Sequence, residues 1–145
     1  MSPHVGEAQD QLTSVELLLD GKIKCITMLE FSRKAIDTFM GKLETVVAGH
    51  PFGPHLYLLL DLSRCNLAVT PYVIKSVQAL SARVPDHPGG TALILPDTIL
   101  TKTIQILTRA QTLFKPGSAQ QQQHRFFFSK DEGLGWLMEL IEDEA

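Results

Sequence analysis

The chain has 145 residues, 44% of them hydrophobic and 20% charged, with a formal net charge of -3. That is the length and balance of one soluble globular domain. Its 13 Lys and Arg are scattered rather than gathered into a basic patch, which argues against a nucleic-acid partner, and no apolar run reaches transmembrane length.

The segment Met1 to Gln11 is polar and acid-bearing, without periodicity or an apolar core. It predicts a flexible tail over 1–13 and no signal peptide. A single domain is expected over 14–145. Val15 to Leu19 is a short apolar run, Asp20-Gly21 follows it, and Ile23 to Leu29 alternates. Two strands joined by Asp-Gly read as a hairpin. Ser32 is placed to cap a helix whose stripe is Ile36, Phe39, Met40, Leu43 and Val47, and Gly49 is placed to end it. His50 to Pro54 is a turn-rich connector.

Leu56 to Leu60 has no polar face, which suits a central strand covered on both sides, and Asp61 ends the apolar run. Thr70 then offers an N-cap and Pro71 a first helical residue with no amide to satisfy. Val73, Ile74, Val77, Leu80 and Val84 follow at helical spacing. After the breakers Pro85 to Gly90, Thr91 to Leu95 reads as another strand. Asp97 or Thr101 opens a third helix with the stripe Leu100, Ile104, Leu107 and Phe114, stopped by Lys115-Pro116-Gly117.

Ser118 to Gln123 is glutamine-rich and reads as a solvated loop. Arg125 to Phe128 reads as the last strand. Ser129 and Glu132 form a capping-box pair opening a final helix, with Leu134, Leu137, Met138 and Ile141 on its buried side. Acids at Glu139 and from Glu142 to Glu144 occupy the end that the helix dipole disfavours, so fraying is expected there.

The order β-β-α-β-α-β-α-β-α predicts an α/β fold: a single domain with a five-stranded mixed sheet, four helices and right-handed crossovers. Two lone cysteines, Cys25 and Cys65, sit in or near apolar segments. They read as free thiols in a reducing compartment, which points to the cytoplasm, with a disulfide between them as the alternative.

Enzyme and cofactor motifs are missing. His4, His50, His55, His87 and His124 fall in turns, in the tail or at strand starts, and no two share metal-ligand spacing. No glycine-rich turn follows an early strand, and no phosphate loop or Gly-x-Ser-x-Gly elbow exists. No cofactor is expected. Asp61 ends a central strand, as does the phosphoacceptor of response-regulator receivers. Those domains, however, carry an acidic pair after their first strand and begin β-α. What remains is Asp61-Leu62-Ser63 with Thr70, where a helix N-terminus and its amides meet a polar turn. A phosphate on Thr70 would lie at the positive end of that helix; an ordinary cap is the simpler role.

The phrase Leu60-Asp61-Leu62-Ser63, followed by a hydroxyl residue at a helix start, resembles the central signature of STAS domains, the fold of anti-sigma factor antagonists. Arg125-Phe126-Phe127-Phe128, then Asp131-Glu132-Gly133-Leu134-Gly135-Trp136-Leu137, is similar to the end of bacterial STAS-like proteins. The resemblance covers about residues 14 to 141. It implies a non-enzymatic regulatory module that docks a signalling protein, of kinase or sigma-regulator type, through the loop 63–69 and the helix at Thr70. In phosphorylatable members a serine in Asp-Ser-Ser-Gly controls that binding. Here Val69-Thr70-Pro71-Tyr72 keeps a hydroxyl without the acid or the glycine. The candidate partner-binding or phosphoacceptor residues are Asp61, Ser63 and Thr70. A related branch implies the alternative, an apolar small ligand or lipid held in a cleft between the third helix and the sheet, with Phe114, Phe126 and Phe128 as candidate lining. A homodimer through a sheet edge or helix face is compatible with either.

Overall fold

The computed structural model describes residues 12–50, 55–65, 70–83, 87–96 and 122–144. Within them run β1 (Thr13–Leu18), β2 (Ile23–Met28), α1 (Arg33–Ala48), β3 (Leu56–Asp61), α2 (Pro71–Arg83), β4 (Gly89–Ile94), β5 (Gln122–Phe127) and α3 (Lys130–Glu144). The strands form one five-stranded sheet in the spatial order β1-β2-β3-β4-β5. β1 pairs antiparallel with β2, and β2, β3, β4 and β5 pair in parallel. The fold is therefore the predicted single α/β domain with a mixed sheet. Three of its helices lie among the described residues; the predicted helix ending at Phe114 lies outside them, as do the 1–11 tail and Phe114 itself.

Burial explains why β3 is central. All six residues from Leu56 to Asp61 are buried, because helices cover both faces. Leu56, Leu58 and Leu60 point to the side of α1 and α2, where Ile26, Met28, Ile36, Phe39, Leu43, Val47 and Leu80 complete one cluster. Tyr57 and Leu59 point to the side of α3, where Ile23, Cys25, Ala92, Ile94 and Leu137 complete another. The helix starts predicted at Ser32 and Thr70 are capped as expected. Ser32 Oγ accepts from Ala35 N at 3.1 Å, and Thr70 Oγ1 accepts from Val73 N at 3.3 Å.

Four local expectations are corrected. The hairpin connection has four residues, not a two-residue Asp-Gly turn: strand pairing closes at Leu18↔Ile23, and Leu19, Asp20 and Gly21 take φ of 50, 56 and 87. β5 starts at Gln122 rather than Arg125, so Gln122 and Gln123 belong to the sheet and not to a solvated loop. Gln122 is buried because its amide finds partners. Its Nε2 donates to Leu56 O at 3.1 Å and His87 O at 2.9 Å, and its Oε1 accepts from Thr91 Oγ1 at 2.7 Å. On α3, Met138 is 39% exposed. Trp136 and Leu140 join Leu134, Leu137 and Ile141 against the sheet instead, because Gly133 lets the helix lie closest on that line. α3 stays helical to Glu144 despite its acids.

Candidate functional site

A right-handed crossover carries the chain off the C-terminal end of one parallel strand and back to the N-terminal end of the next. The N-termini of α1 and α2 therefore stand at the same end of the sheet as Asp61, the last residue of β3. The topology alone gathers Ser32, Arg33, the turn after Asp61 and Thr70 at this end.

Asp61 is buried, with 4% of its surface exposed. Its Oδ1 accepts from Ser63 N at 3.0 Å and from Ser63 Oγ at 2.5 Å. The carboxylate thus closes a short Asx-type turn that leads the chain out of the core and leaves Ser63 and Arg64 exposed. Two of the three candidate residues, Asp61 and Ser63, thus lie together in this turn. Thr70 is half-buried, and its hydroxyl accepts from its own helix. Residues 66–69 of the expected docking loop lie outside the described residues.

A cluster that the sequence reading missed lies beside Thr70. Tyr72 on α2 donates its hydroxyl to Asp37 on α1, and the Arg33 guanidinium lies 4.5 Å from the Tyr72 ring centroid. The hydrogen bond to Asp37, then desolvation and the Asp37 charge, push the phenol up. This clasp ties the first turn of α2 to the first two turns of α1. No sequence signal points to it, because it depends on how closely α1 and α2 pack.

Cys65 is half-buried just behind the turn and donates to Leu62 O at 3.4 Å. Burial raises its thiol, with the Asp61 charge adding to the effect. Cys25 is buried and free, and burial raises it too. Neither thiol is set up as a nucleophile. The candidate cleft residues Phe126 and Phe128 are half-buried at this same end. They pack with Phe31, Leu62 and Cys65 around the buried Leu95.

Among the described residues, no group of three His, Cys, Asp or Glu side chains is placed to hold a metal ion, and no helix is long and apolar enough to cross a membrane.

No protein-family model and no curated protein matches the sequence. Among solved structures, the chain is similar to an anti-sigma factor antagonist from Mycobacterium paratuberculosis, at 15% identity and a TM-score of 0.53. The likeness covers 87% of this chain and 94% of that one. At that identity the likeness is one of fold, and the fold is STAS-like.

Proposed function

We propose that this chain is a non-enzymatic regulatory module that docks a signalling protein at the C-terminal end of its sheet. The docking face comprises the turn from Ser63 and the first turn of α2 from Thr70. The observation that carries the reading is the Asp61–Ser63 turn. A buried carboxylate fixes it from behind while Ser63 and Arg64 stand exposed, next to a helix whose first turn is capped by Thr70. An exposed polar turn of this kind suits a protein partner better than a small substrate. The shared fold with an anti-sigma factor antagonist supports a partner of kinase or sigma-regulator type. Working among such regulators would place the protein in a bacterial cytoplasm.

Phosphate at Thr70 gates this docking. The modified side chain would carry a charge of about -2 to the positive end of α2, in the middle of the face. The test uses the partner captured by the tagged chain and then purified. Its affinity is measured for the wild type, Ser63→Arg, Thr70→Asp and, as a control on the opposite face, Glu139→Arg. The proposal expects Ser63→Arg and Thr70→Asp to weaken binding by about tenfold or more, with Glu139→Arg unchanged. Equal affinity for all four proteins refutes the face. Loss in Ser63→Arg alone refutes the gate and keeps the face.

The half-buried Phe126 and Phe128 around Leu95 favour a second reading, in which that cluster opens to hold an apolar small molecule or lipid. A mass excess in the native spectrum of the purified protein, lost on denaturation, would put this reading first.

A further inference from the structure

Basic residues that are scattered along the sequence come together in the fold. Arg33 and Lys34 open α1, Arg64 lies in the turn after Asp61, and Lys75 lies on α2, one turn beyond Tyr72. All four are exposed. Two contacts make these segments neighbours. The Arg33 guanidinium lies 4.5 Å from the Tyr72 ring centroid, and Phe31, just before α1, packs in one cluster with Leu62 and Cys65 on either side of the turn. Lys75 follows Tyr72 by three residues and so shares its side of α2.

The acids beside them are engaged within the molecule. Asp61 is buried and holds Ser63. Glu30 accepts from Ser32 Oγ at 2.8 Å, and Asp37 accepts from the Tyr72 hydroxyl. The side chains of Lys34, Arg64 and Lys75, by contrast, make no ion pair or hydrogen bond among the described residues. Residues 66–69, Asn-Leu-Ala-Val, bring no charge of their own. The opposite side of the sheet has the reverse sign. There α3 exposes Asp131, Glu132, Glu139, Glu142 and Asp143.

We propose, building on the docking face above, that the partner docks through an acidic segment whose Asp and Glu side chains lie against Lys34, Arg64 and Lys75. These cations give up no internal ion pair when they bind, so the contact breaks nothing within the fold. The charge layout also orients the approach. An acidic partner is repelled by α3 and drawn to the α1–α2 side, which raises the rate of productive encounter. The same chemistry gives the proposed gate its cause: phosphate at Thr70 adds a charge of about -2 beside these bases and repels the acidic segment. A nucleic acid is the other polyanion to weigh. Single strands bind by stacking bases on open aromatic faces, and the Tyr72 ring already carries Arg33 on its face and Asp37 on its hydroxyl. With a formal net charge of -3 on the chain, a protein segment is the better fit.

The test measures association of the full chain with the protein it captures and that is then purified, at low and high salt. A triple variant carrying Lys34→Gln, Arg64→Gln and Lys75→Gln is expected to bind about tenfold or more weakly. Most of that loss should lie in slower association, and the salt dependence of the wild type should largely disappear. Circular dichroism should not change, because the three side chains are exposed and hold nothing in place. Lys22→Gln, at an exposed lysine beyond the other end of β2, should bind like the wild type. A zero-length carbodiimide should join Lys34 or Lys75 to an Asp or Glu of the bound protein. Ser63→Arg obstructs the face by bulk whatever the partner's charge, so it reports on the docking reading separately. Weakening by Ser63→Arg, with the triple variant binding as the wild type does at every salt, would overturn the acidic segment and leave the docking face standing. Weakening by neither would overturn both. Crosslinks confined to other lysines, or a wild type that prefers a single-stranded oligonucleotide to the purified protein, would also overturn the proposal.

Discussion

Asp61 does two jobs with one oxygen, ending the core strand and fixing the turn that follows. Asp61→Ala leaves the Ser63 amide and hydroxyl without their acceptor, so a loss of about 1–3 kcal/mol in urea unfolding is expected. Thr70→Ala removes the cap of α2 and should cost about 1 kcal/mol, with Thr70→Ser recovering most of it. The thiols make a pH prediction. Burial raises Cys25 and Cys65 above their ordinary value of 9.0, so the folded chain holds those protons to higher pH than the unfolded chain. Their contribution is complete below 9.0 and is lost as pH rises through that value toward the raised folded ones. Urea midpoints measured from neutral pH upward should fall more steeply for the wild type than for the Cys25→Ala, Cys65→Ala double variant. Parallel curves would contradict this. At this scale the sequence was most legible where a residue acts on its own neighbours. Ser32 and Thr70 cap as their positions suggest, while the Tyr72–Asp37 bond joins helices whose separation no local pattern encodes.

At the scale of elements, close approaches set the geometry around β4. Gly89 has φ 131, and a Cβ there would lie 2.0 Å from Leu56 O. Gly89→Ala combines backbone strain with a clash against main chain and should cost about 3 kcal/mol or more in thermal or urea unfolding. A Cβ at Gly133 would meet Ile94 Cδ1 at 2.5 Å, a flexible side-chain end, so Gly133→Ala should cost less, about 1–3 kcal/mol. The reverse ranking would mean that the Ile94 side chain between α3 and β4 cannot yield as a flexible end should. β5 shows why some boundaries were not legible. Gln122 and Gln123 look like loop by composition, and Gln122 enters the sheet only because carbonyls of Leu56 and His87 and the hydroxyl of Thr91 happen to surround it. The hairpin turn was misread for a similar reason. Asp-Gly was visible, but the positive φ of Leu19 that widens the connection carries no sequence mark. The helices were legible because their stripes match a single buried face, as at Ile36, Phe39, Leu43 and Val47.

For the whole molecule, the apolar run of β3 was enough to predict a sheet covered on both sides, and the order of elements was enough to predict parallel crossovers. Those two features fix which end of the sheet collects the helix N-termini, the end at which the proposed docking face lies. The proposed partner is not legible in this way, because Ser63 and Arg64 are exposed and no core constraint dictates their pattern. The most direct test of the docking account is hydrogen exchange of the full chain with and without its purified partner. The account predicts slowed exchange over the turn 62–65 and the first turns of α2, with α3 unchanged. Protection confined to α3, or spread evenly across the sheet, would contradict it.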